Sequence, residues 1–511
     1  MLAKVEAAAI VGLSAVPVTV EVDVADGLPG VTIVGLPDAA VRESKERIKS
    51  ALKNTQCAWP QTRITVNLAP ADVRKEGSSF DLPIALGLLS ASKQLDPEVF
   101  ARTVALGELA LDGSLRPVSG VLPVALGLRG RGMRLLVPAA NAAEASLVEG
   151  VAVHPILHLH QVIQFLQGSE AVPPYETRAA GDLSSCRPQE DKDFSEVKGQ
   201  LLAKRAIEVA VAGGHNLLLM GPPGAGKTML AQRISTIIPE LSIEEALETT
   251  AIYSVAGLLP AGEPLIAARP FRSPHHSISD AGLVGGGRSP KPGEVSLAHH
   301  GVLFLDELPE FNRNALESLR QPLEEGRVAV SRVQGTAIFP ARFMLVASMN
   351  LCPCGFSGDP TKSCVCSPVQ ILRYRSKVSG PLLDRIDLHV EVPAVSVPEL
   401  TADGDGESSR VIRERVAQAR GRQRSRFQGE VGLFTNAQMR HRYLKRFCLL
   451  DPACRELLKK AIVSLGLSAR AYHKILKVAR TIADLAGREE ISTDHLAEAI
   501  QYRSLDRSSW V

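Results

Sequence analysis

The sequence predicts a multidomain α/β protein, because three stretches of the chain differ in how helices and strands follow each other. Residues 1–168 mix alternating strands with helices, which is typical of an α+β domain. Residues 194–400 alternate helices with short apolar strands, which predicts a parallel sheet buried on both faces. Residues 401–511 form a helical region after a polar start. A length of 511 residues agrees with roughly three such units.

Each unit is defined by its own elements. In the first, strands are predicted at 17–24, 63–68 and 134–138 and helices at 39–52 and 81–95. Residues 169–193 lose periodicity and collect proline, serine, glycine and charge, which predicts a linker. The apolar strands of the second unit lie at 215–220, 301–307, 343–350 and 387–393, and the last unit has helices at 408–428, 451–464, 468–487 and 493–501.

The composition bounds the class of protein. Apolar residues make up 45% of the chain and the net charge is only +3, so a nucleic-acid site has to come from local patches. One patch is the arginine-rich segment 410–426, and a second lies at 440–446. No run of about 18 apolar residues occurs and the first thirty residues do not have the pattern of a signal peptide, so we expect a cytoplasmic protein without a membrane partner.

The segment "GPPGAGKT" follows an apolar strand and opens a helix, which is the context that a phosphate-binding loop requires. Its glycines let backbone N–H groups turn towards phosphates, Lys227 reaches the β and γ phosphates, and Thr228 offers a hydroxyl to Mg²⁺. The predicted ATP site consists of Gly221, Pro222, Pro223, Gly224, Ala225, Gly226, Lys227 and Thr228.

Three further strands supply the rest of a hydrolytic site. "VLFLDE" ends in Asp306, which can hold Mg²⁺, and Glu307, which can polarise water, although two such acids could also cap the next helix. "LVASMN" ends in Asn350, whose amide can orient that water. Arg385 precedes the last strand and is either a surface salt-bridge partner of the neighbouring acids or an arginine finger for another subunit.

The order of these segments resembles the magnesium-chelatase-like AAA+ family, and in particular its competence branch. The segments that carry the resemblance are "NLLLMGPPGAGKTMLAQR", "RPFRSPHHSISDAGLVGGG", "PGEVSLAHHGVLFLDELPEF", "SGPLLDRIDLHVEV" and "GLSARAYHKILKVARTIADL". The resemblance covers essentially the whole chain. The resemblance implies an AAA+ core with a helical lid, a hexameric ATPase ring, Arg385 as the finger acting in trans and Arg470 as a sensor on the lid. It also implies DNA branch migration during natural transformation or recombination, on single-stranded, duplex or branched DNA, with a recombinase as a possible partner.

Two irregular segments are candidates for DNA contact. The glycine- and proline-rich segment 271–300 is too irregular for a helix and long for a loop, and it resembles the helix-two insert of the family, where Arg288 and Lys291 would suit a phosphate backbone. Residues 326–343 are expected to form a β-hairpin that turns at 333–335, with Arg332 beside its tip. Disorder of the insert and a solvated Arg332 are the alternatives.

The N-terminal unit resembles the Lon-protease-like domain. Its segment "VNLAPADVRKEGSSFDLPIALGLL" matches the region of the catalytic serine, and Ser79 falls on or next to the nucleophile. The position of the activating lysine is taken by Leu122 or its neighbours, and a serine without a base is a poor nucleophile. We therefore expect no peptidase activity and interpret Ser78 and Ser79 as caps of the helix that begins near Phe80.

Four of the eight cysteines lie close together as "CPCGFSGDPTKSCVC". Cys352, Cys354, Cys364 and Cys366 could hold Zn²⁺, because four cysteines commonly bind it tetrahedrally, although the gap within each pair is one residue and not the usual two to four. Reduced cysteines without a metal are the alternative.

The function predicted from the sequence is an ATP-driven DNA motor. Two other classes remain as rivals. The first is an ATP-dependent protease, which the missing lysine disfavours, and the second is the ATPase subunit of a chelatase, which the extra N-terminal unit and the basic segments disfavour. ATPase activity that responds to DNA would distinguish the motor from both.

Overall fold

The computed structural model describes most of the chain. The described residues are 1–176, 192–260, 262–287, 290–332, 335–358, 362–395, 406–430 and 432–503. Most of the predicted linker 169–193 and the start of the unit 401–511 therefore lie outside the described residues.

The N-terminal part is built on a mixed sheet of seven strands in the order β3-β4-β2-β1-β5-β8-β9. The strands are β1 (Leu2–Val11), β2 (Ser14–Ala25), β3 (Gly30–Val34), β4 (Arg63–Ala69), β5 (Thr103–Ala105), β8 (Arg134–Pro138) and β9 (Ala152–Ile156), and the short β6 (Glu108–Leu109) pairs with β7 (Leu115–Arg116). β2 runs antiparallel to both of its neighbours, β1 and β4, whereas all the other neighbouring pairs of the sheet are parallel. The strands predicted at 17–24, 63–68 and 134–138 are all present.

Helices cover both faces of this sheet because side chains of successive strand residues point to opposite faces. Val5 and Val20 belong to one core, together with the helices Ala39–Asn54 and Asp81–Ala91, whereas Ala8 belongs to the other. The remaining helices of this part are Val121–Leu128, Ala139–Ala145 and Leu159–Leu166. The α+β class of the N-terminal part is thus observed.

The capping role expected for the two serines is wrong. The helix begins at Asp81 with Phe80 as its N-cap and without a side-chain hydrogen bond at the cap. The hydroxyl of Ser78 instead donates to the carboxylate of Glu108. The side chain at Leu122 is fully buried in the apolar core.

The second sheet has five parallel strands in the order β11-β14-β17-β10-β18. They are β10 (Leu217–Met220), β11 (Phe271–Arg272), β14 (Val302–Leu305), β17 (Met344–Met349) and β18 (Leu388–Glu391). β10, β14 and β17 are buried along their whole length, as the apolar composition predicted. Around them lie the helices Leu201–Gly213, Lys227–Gln232, Ile234–Ile237, Ile243–Ala256, Arg313–Ser318, Arg320–Glu325, Pro368–Arg375 and Gly380–Leu383.

The two irregular segments have short regular elements. The predicted hairpin is observed as β15 (Arg327–Arg332) paired antiparallel with β16 (Gly335–Pro340). The insert contains the helices Asp280–Val284 and Glu294–Leu297 and a small pair, β12 (Gly285–Gly286) with β13 (Lys291–Pro292). The expectation that the insert is too irregular for a helix is therefore wrong.

The N-terminal part packs directly on the second sheet and on this hairpin. Leu13, at the turn between β1 and β2, packs against the core around β14 and β17. A Cβ atom on Gly12 would lie 3.1 Å from the carbonyl oxygen of Ile338 in β16, so this turn fits closely against the hairpin. The backbone N–H of Gly120 donates to the carbonyl oxygen of Ser254 over 3.0 Å.

The C-terminal helices pack against helix Leu201–Gly213 and share its apolar core. They are Ser409–Arg426, His441–Phe447, Pro452–Leu465, Ala469–Leu485 and Thr493–Gln501. Their polar contacts gather near the amino ends of the strands, where Lys474 Nζ lies 2.9 Å from Asp387, just ahead of β18. Among the described residues, no helix combines the length and the apolar composition needed to cross a membrane.

Most arginines of helix Ser409–Arg426 are used inside the protein, which does not fit a DNA-binding patch. Arg413, Arg420 and Arg422 donate to backbone carbonyl oxygens of Thr236, Val211 and Asp484, respectively. Arg415 pairs with Glu208 and Glu407, and Arg426 pairs with Asp484. The helix is rich in arginine because these side chains connect it to helix Leu201–Gly213, to Thr236 and to Asp484. Arg410, with 86% of its side chain accessible, and Arg424 are its exposed exceptions.

Asp484 is the centre of this ion-pair network, and its removal should destabilise the C-terminal helices. Its carboxylate is fully buried between Arg426 and Arg480 and also accepts from Asn436 over 2.8 Å. Asp484→Ala leaves two arginines buried without their partner, so we expect the free energy of unfolding to fall by about 3–5 kcal/mol. Urea denaturation followed by circular dichroism measures this change. Glu414→Ala removes an exposed pair on the same helix and should leave the transition unchanged; equal effects of the two variants would contradict the assignment.

Candidate functional site

The phosphate-binding loop connects the end of β10 to helix Lys227–Gln232 at the carboxyl edge of the parallel sheet. Gly224 and Gly226 have φ angles of +77° and +85°, which a residue with a Cβ rarely adopts. A Cβ on Gly221 would lie 2.0 Å from the carbonyl oxygen of Val392, so this glycine allows the loop to leave the sheet beside β18. A Cβ on Gly224 would meet nothing within 4 Å, so the loop faces open space at this residue.

Lys227 folds back over its own loop. Its Nζ donates to the carbonyl oxygens of Gly221 and Pro222 over 2.8 and 2.9 Å and to Oδ1 of Asn350 over 3.0 Å. Burial lowers the pKa of Lys227, and the nearby carboxylates of Asp306 and Glu307 oppose this effect. The ammonium group is therefore held in place by neutral oxygens that a phosphate can replace.

Asp306 links the loop to two strands. Its Oδ2 accepts from the hydroxyl of Thr228 over 2.6 Å, and its Oδ1 accepts from the hydroxyl of Ser348. The register explains the contact, because Leu305 pairs with Ala347 and the next residues along both strands are Asp306 and Ser348. A hydroxyl and a carboxylate at this position are oxygen ligands of the kind that Mg²⁺ prefers.

Glu307 follows in a left-handed backbone conformation, with φ of +55°. Its N–H donates to Oδ1 of Asp306 over 3.1 Å and to Oγ of Ser348 over 3.3 Å, which fixes this conformation. The side chain is 58% exposed, and Oε2 lies 4.0 Å from Nδ1 of His276. The carboxylate of Glu307 is thus free to meet water beside the phosphate-binding loop.

The residues at this edge fit a magnesium nucleotide. The open space at Gly224, the buried ammonium of Lys227 and the pair formed by Thr228 and Asp306 provide a phosphate cradle with adjacent oxygen ligands. Asn350 lies at the same edge, since Leu219 and Met220 of β10 pair with Ser348 and Met349 of β17.

Arg385 and Arg470 lie at the opposite edge of the sheet. Arg385 precedes β18, whose first residue Leu388 pairs with Leu217 at the start of β10, whereas the phosphate-binding loop follows the end of β10. The Arg385 guanidinium donates to Glu324 and to the carbonyl oxygen of Pro381. Nη1 of Arg470 lies 3.9 Å from Oδ2 of Asp384, and 61% of its side chain is exposed. Neither arginine lies at the phosphate-binding loop of the same chain.

The two arginines line a cleft of about 560 Å³ between the amino ends of the strands and the C-terminal helices. Its charged lining is mainly basic. The acids are Glu245, Glu324, Glu325, Asp384 and Asp387, and the lysines and arginines are Arg269, Arg342, Arg385, Arg420, Arg440, Arg442, Arg470, Lys474 and Lys477. An anion presented by another molecule would be attracted to this cleft.

Of the three residues expected to contact DNA, Lys291 is exposed in β13, opposite Gly286. Arg332 ends β15 beside the hairpin turn, and Arg288 lies outside the described residues. The hairpin and the insert are neighbouring structures, because β12 contacts β15.

The four clustered cysteines lie together directly after Asn350. The Sγ–Sγ distances are 3.4 Å from Cys352 to Cys354 and 3.6 Å from Cys364 to each of these two. With Cys366, all four sulfur atoms lie within 4.8 Å of one another. Cys352 is buried and the other three are partly exposed.

Glu248, His299 and His300 form a second compact group of metal-binding residue types, but their hydrogen bonds already explain it. Nδ1 of His299 accepts from the backbone N–H of Arg342 over 3.0 Å, so Nε2 carries the proton and donates to Glu248 over 3.2 Å. Burial lowers the pKa of His299 to about 4, which keeps this imidazole neutral. The group connects the start of β14 to helix Ile243–Ala256.

Ser348 and His276 were missed from the sequence. Ser348 is the one polar residue within β17, and its position two residues before Asn350 was a usable signal. His276 lies 31 residues before Glu307 in an irregular segment, so no local pattern connects the two.

Family models match three parts of the chain. The model described as magnesium chelatase, subunit ChlI, matches residues 193–400, the model of subunit ChlI of Mg-chelatase matches residues 20–141, and that of the ChlI C-terminal part matches residues 406–503.

Relatives match over both the full length and a part. The competence protein ComM of Haemophilus influenzae is 47% identical over 511 residues, which cover 99% of this chain and 98% of the relative. YifB of Salmonella typhimurium is 45% identical over 508 residues, again covering 99% and 98%. Lon protease 2 of Bacillus subtilis is 31% identical over 151 residues, which cover 27% of this chain and 26% of that protein.

Lys227 and Glu307 should affect separate steps of the reaction. Lys227→Ala removes the ammonium group that meets the phosphates, so we expect nucleotide binding to be lost. Glu307→Gln keeps the size of the side chain but removes the base, so binding should persist while turnover falls by about 10²-fold or more. Fluorescent-nucleotide binding and phosphate release measure the two steps. An equal loss of binding in both variants would contradict this division of roles.

Proposed function

The chain belongs to the magnesium-chelatase-like family of AAA+ ATPases, in its ComM branch, and we propose that it is a ring-shaped ATP-driven motor that moves DNA branches. ATP and Mg²⁺ are the cofactors that membership of this family implies. The proposed ring has six identical subunits, and its DNA substrate is single-stranded, duplex or branched. The relative named a competence protein supports a role in natural transformation or recombination.

The separation of the catalytic groups carries the proposal of a ring. In one subunit, Lys227, Asp306, Glu307 and Asn350 gather at the carboxyl edge of the sheet, whereas Arg385 lies at the amino edge. The negative charge that develops on a transferred phosphoryl group is stabilised by cationic groups placed around it. A second subunit that presents its basic cleft, with Arg385 and Arg470, to this edge would complete the site.

The proposed hydrolysis step follows from the side chains at the carboxyl edge. Lys227 would exchange Asn350 and the loop carbonyls for the phosphates, and Thr228 and Asp306 would hold Mg²⁺, whose chemistry would be to neutralise charge on the phosphate oxygens. Glu307 and the amide of Asn350 orient the attacking water. Ser348 keeps Asp306 in place, because its hydroxyl donates to the carboxylate that would bind the metal ion.

The proposed DNA contacts are Arg288 and Lys291 in the insert and Arg332 in the hairpin. The insert and the hairpin contact each other through β12 and β15, so a movement of one would displace the other. The N-terminal turn at Gly12 packs against the same hairpin at Ile338. DNA held by the hairpin would therefore lie close to the N-terminal part.

For the N-terminal part we propose a Lon-like domain without peptidase chemistry. The partial match to Lon protease 2 supports the likeness. Leu122 is buried where the motif would place a lysine, and the hydroxyl of Ser78 is hydrogen-bonded to Glu108. The N-terminal part would then not cleave peptides. It would instead act as a structural support, through its contacts with the hairpin and with Ser254.

The ATPase rate with and without DNA tests the proposed function. We expect the rate to rise with DNA and most strongly with branched DNA. An unchanged rate with single-stranded, duplex and branched DNA would contradict the motor and favour a chelatase-type ATPase. Degradation of an unfolded protein substrate that is lost in Ser79→Ala would instead favour the protease.

The proposed role of Arg385 in trans predicts complementation between inactive subunits. Arg385→Ala subunits keep an intact phosphate-binding loop, and Lys227→Ala subunits keep an intact Arg385. Because an intact arginine then meets an intact loop in some interfaces, mixed rings should recover part of the ATPase rate. Rings shown to be mixed by two affinity tags but without recovered activity would mean that Arg385 acts in its own subunit.

The proposed DNA contacts predict a dependence on salt. Removal of one phosphate-binding side chain should reduce the slope of log affinity against log salt by about 0.7 for single-stranded and 0.9 for duplex DNA. Lys291→Ala and Arg332→Ala should each show this reduction in fluorescence anisotropy titrations. Arg410→Ala, an exposed arginine on the C-terminal helix, should not. If the slope fell only in Arg410→Ala, the DNA would bind at the C-terminal helix and not at the insert and the hairpin.

A further inference from the structure

The loop after Asn350 holds three sulfur atoms at the corners of a nearly equilateral triangle. The three are Cys352, Cys354 and Cys364, with edges of 3.4, 3.6 and 3.6 Å. The fourth sulfur, of Cys366, lies within 4.8 Å of each of them. A zinc ion bonded to four thiolates at about 2.3 Å sets its ligands about 3.8 Å apart, which is close to the three edges of this triangle.

Neither a disulfide nor apolar packing accounts for the four cysteines. A disulfide needs two sulfur atoms about 2.05 Å apart, and all seven described cysteines are free. Packing of apolar thiols does not fit either, because Cys354, Cys364 and Cys366 are partly exposed. Four thiols within one short surface segment would be open to oxidation unless a metal ion protects them.

Backbone donors point at two of the sulfur atoms. The N–H of Ser357 donates to Sγ of Cys352 over 3.2 Å, and the N–H of Cys354 donates to Sγ of Cys366 over 3.4 Å. Such donors stabilise negative charge on the sulfur atoms, which a zinc site requires of its ligands. Gly355 and Gly358, with φ of +86° and +78°, let the backbone turn back towards the first pair of cysteines.

We propose that Cys352, Cys354, Cys364 and Cys366 bind one structural zinc ion that holds this loop against the phosphate-binding loop. Four protein ligands leave no open position, so the ion has a structural role. The site is separate from the Mg²⁺ site at Thr228 and Asp306.

The two loops touch at Gly355 and Pro223. A Cβ on Gly355 would lie 2.5 Å from Cγ of Pro223, so the glycine packs directly on the phosphate-binding loop. The residue before the cysteine segment, Leu351, accepts a hydrogen bond from Nε of Arg375 over 3.0 Å, and Asn350 accepts one from Lys227. The zinc ion thus closes a loop whose base and middle both contact the nucleotide site.

Metal analysis of the full-length protein tests the site. Protein purified in reducing buffer without added metal should contain about one zinc ion per chain, and Cys364→Ser should lose it. Cys57→Ser, which removes a thiol from the N-terminal part, should keep it. Replacement of zinc by Co²⁺ should give the visible absorption bands of a tetrahedral thiolate site. Unmodified protein with eight reduced thiols and no zinc would overturn the proposal, and this measurement needs neither ATPase activity nor DNA.

Nucleotide affinity without turnover tests the contact between the loops. Binding of a fluorescent ATP analogue should weaken several-fold in Cys364→Ser. It should also weaken in Gly355→Ala, because the added methyl group has no room against Pro223, and the zinc content of this variant is measured in parallel to separate loss of the contact from loss of the ion. Unchanged affinity in both variants would mean that the zinc ion does not support the phosphate-binding loop. If Cys364→Ser does not fold, Gly355→Ala and the zinc content of the unmodified protein still decide the question.

Discussion

The hydrogen bonds of Asp306 connect three strand ends and set the geometry of the site. Thr228 reaches Asp306 from the first turn of the helix after the phosphate-binding loop, and Ser348 reaches it from β17, while Asp306 itself directly follows β14. These contacts exist because the three strands run parallel and in register, which brings their carboxyl ends to one edge. Glu307 depends on the same carboxylate, since its left-handed backbone is fixed by hydrogen bonds to Asp306 and Ser348.

The same parallel arrangement excludes other groups from that edge. A residue that precedes a strand lies at the amino end, and Arg385 precedes β18. The C-terminal helices contact the amino end through Lys474 and Asp387, and Arg470 therefore lies next to Asp384. One chain of this fold has its phosphate cradle on one side and a basic cleft on the other. This polarity agrees with the proposed ring, in which one surface of each chain would meet the opposite surface of the next.

The elements that follow local rules could be predicted from the sequence. The fully apolar runs became the buried parallel strands, and the hairpin predicted at 326–343 is observed at 327–340. The arginines of helix Ser409–Arg426 were misinterpreted, because their partners are backbone carbonyls and acids up to two hundred residues away. The capping role predicted for Ser78 was wrong for the same reason, because the partner of its hydroxyl, Glu108, lies 30 residues away in the sequence. The role of Ser348 also depends on register across strands, which composition does not give.

Entry of a nucleotide must change more than the phosphate-binding loop. Nζ of Lys227 has three acceptors, and a bound phosphate has to replace at least part of them. Two of the acceptors belong to the loop itself, whereas the third is Asn350, at the end of β17. Release of Asn350 acts on the chain that continues into Leu351 and the cysteine segment, which Arg375 ties to helix Pro368–Arg375. A nucleotide that displaces Asn350 from Lys227 would therefore change the contacts of the residue that leads directly into the cysteine segment.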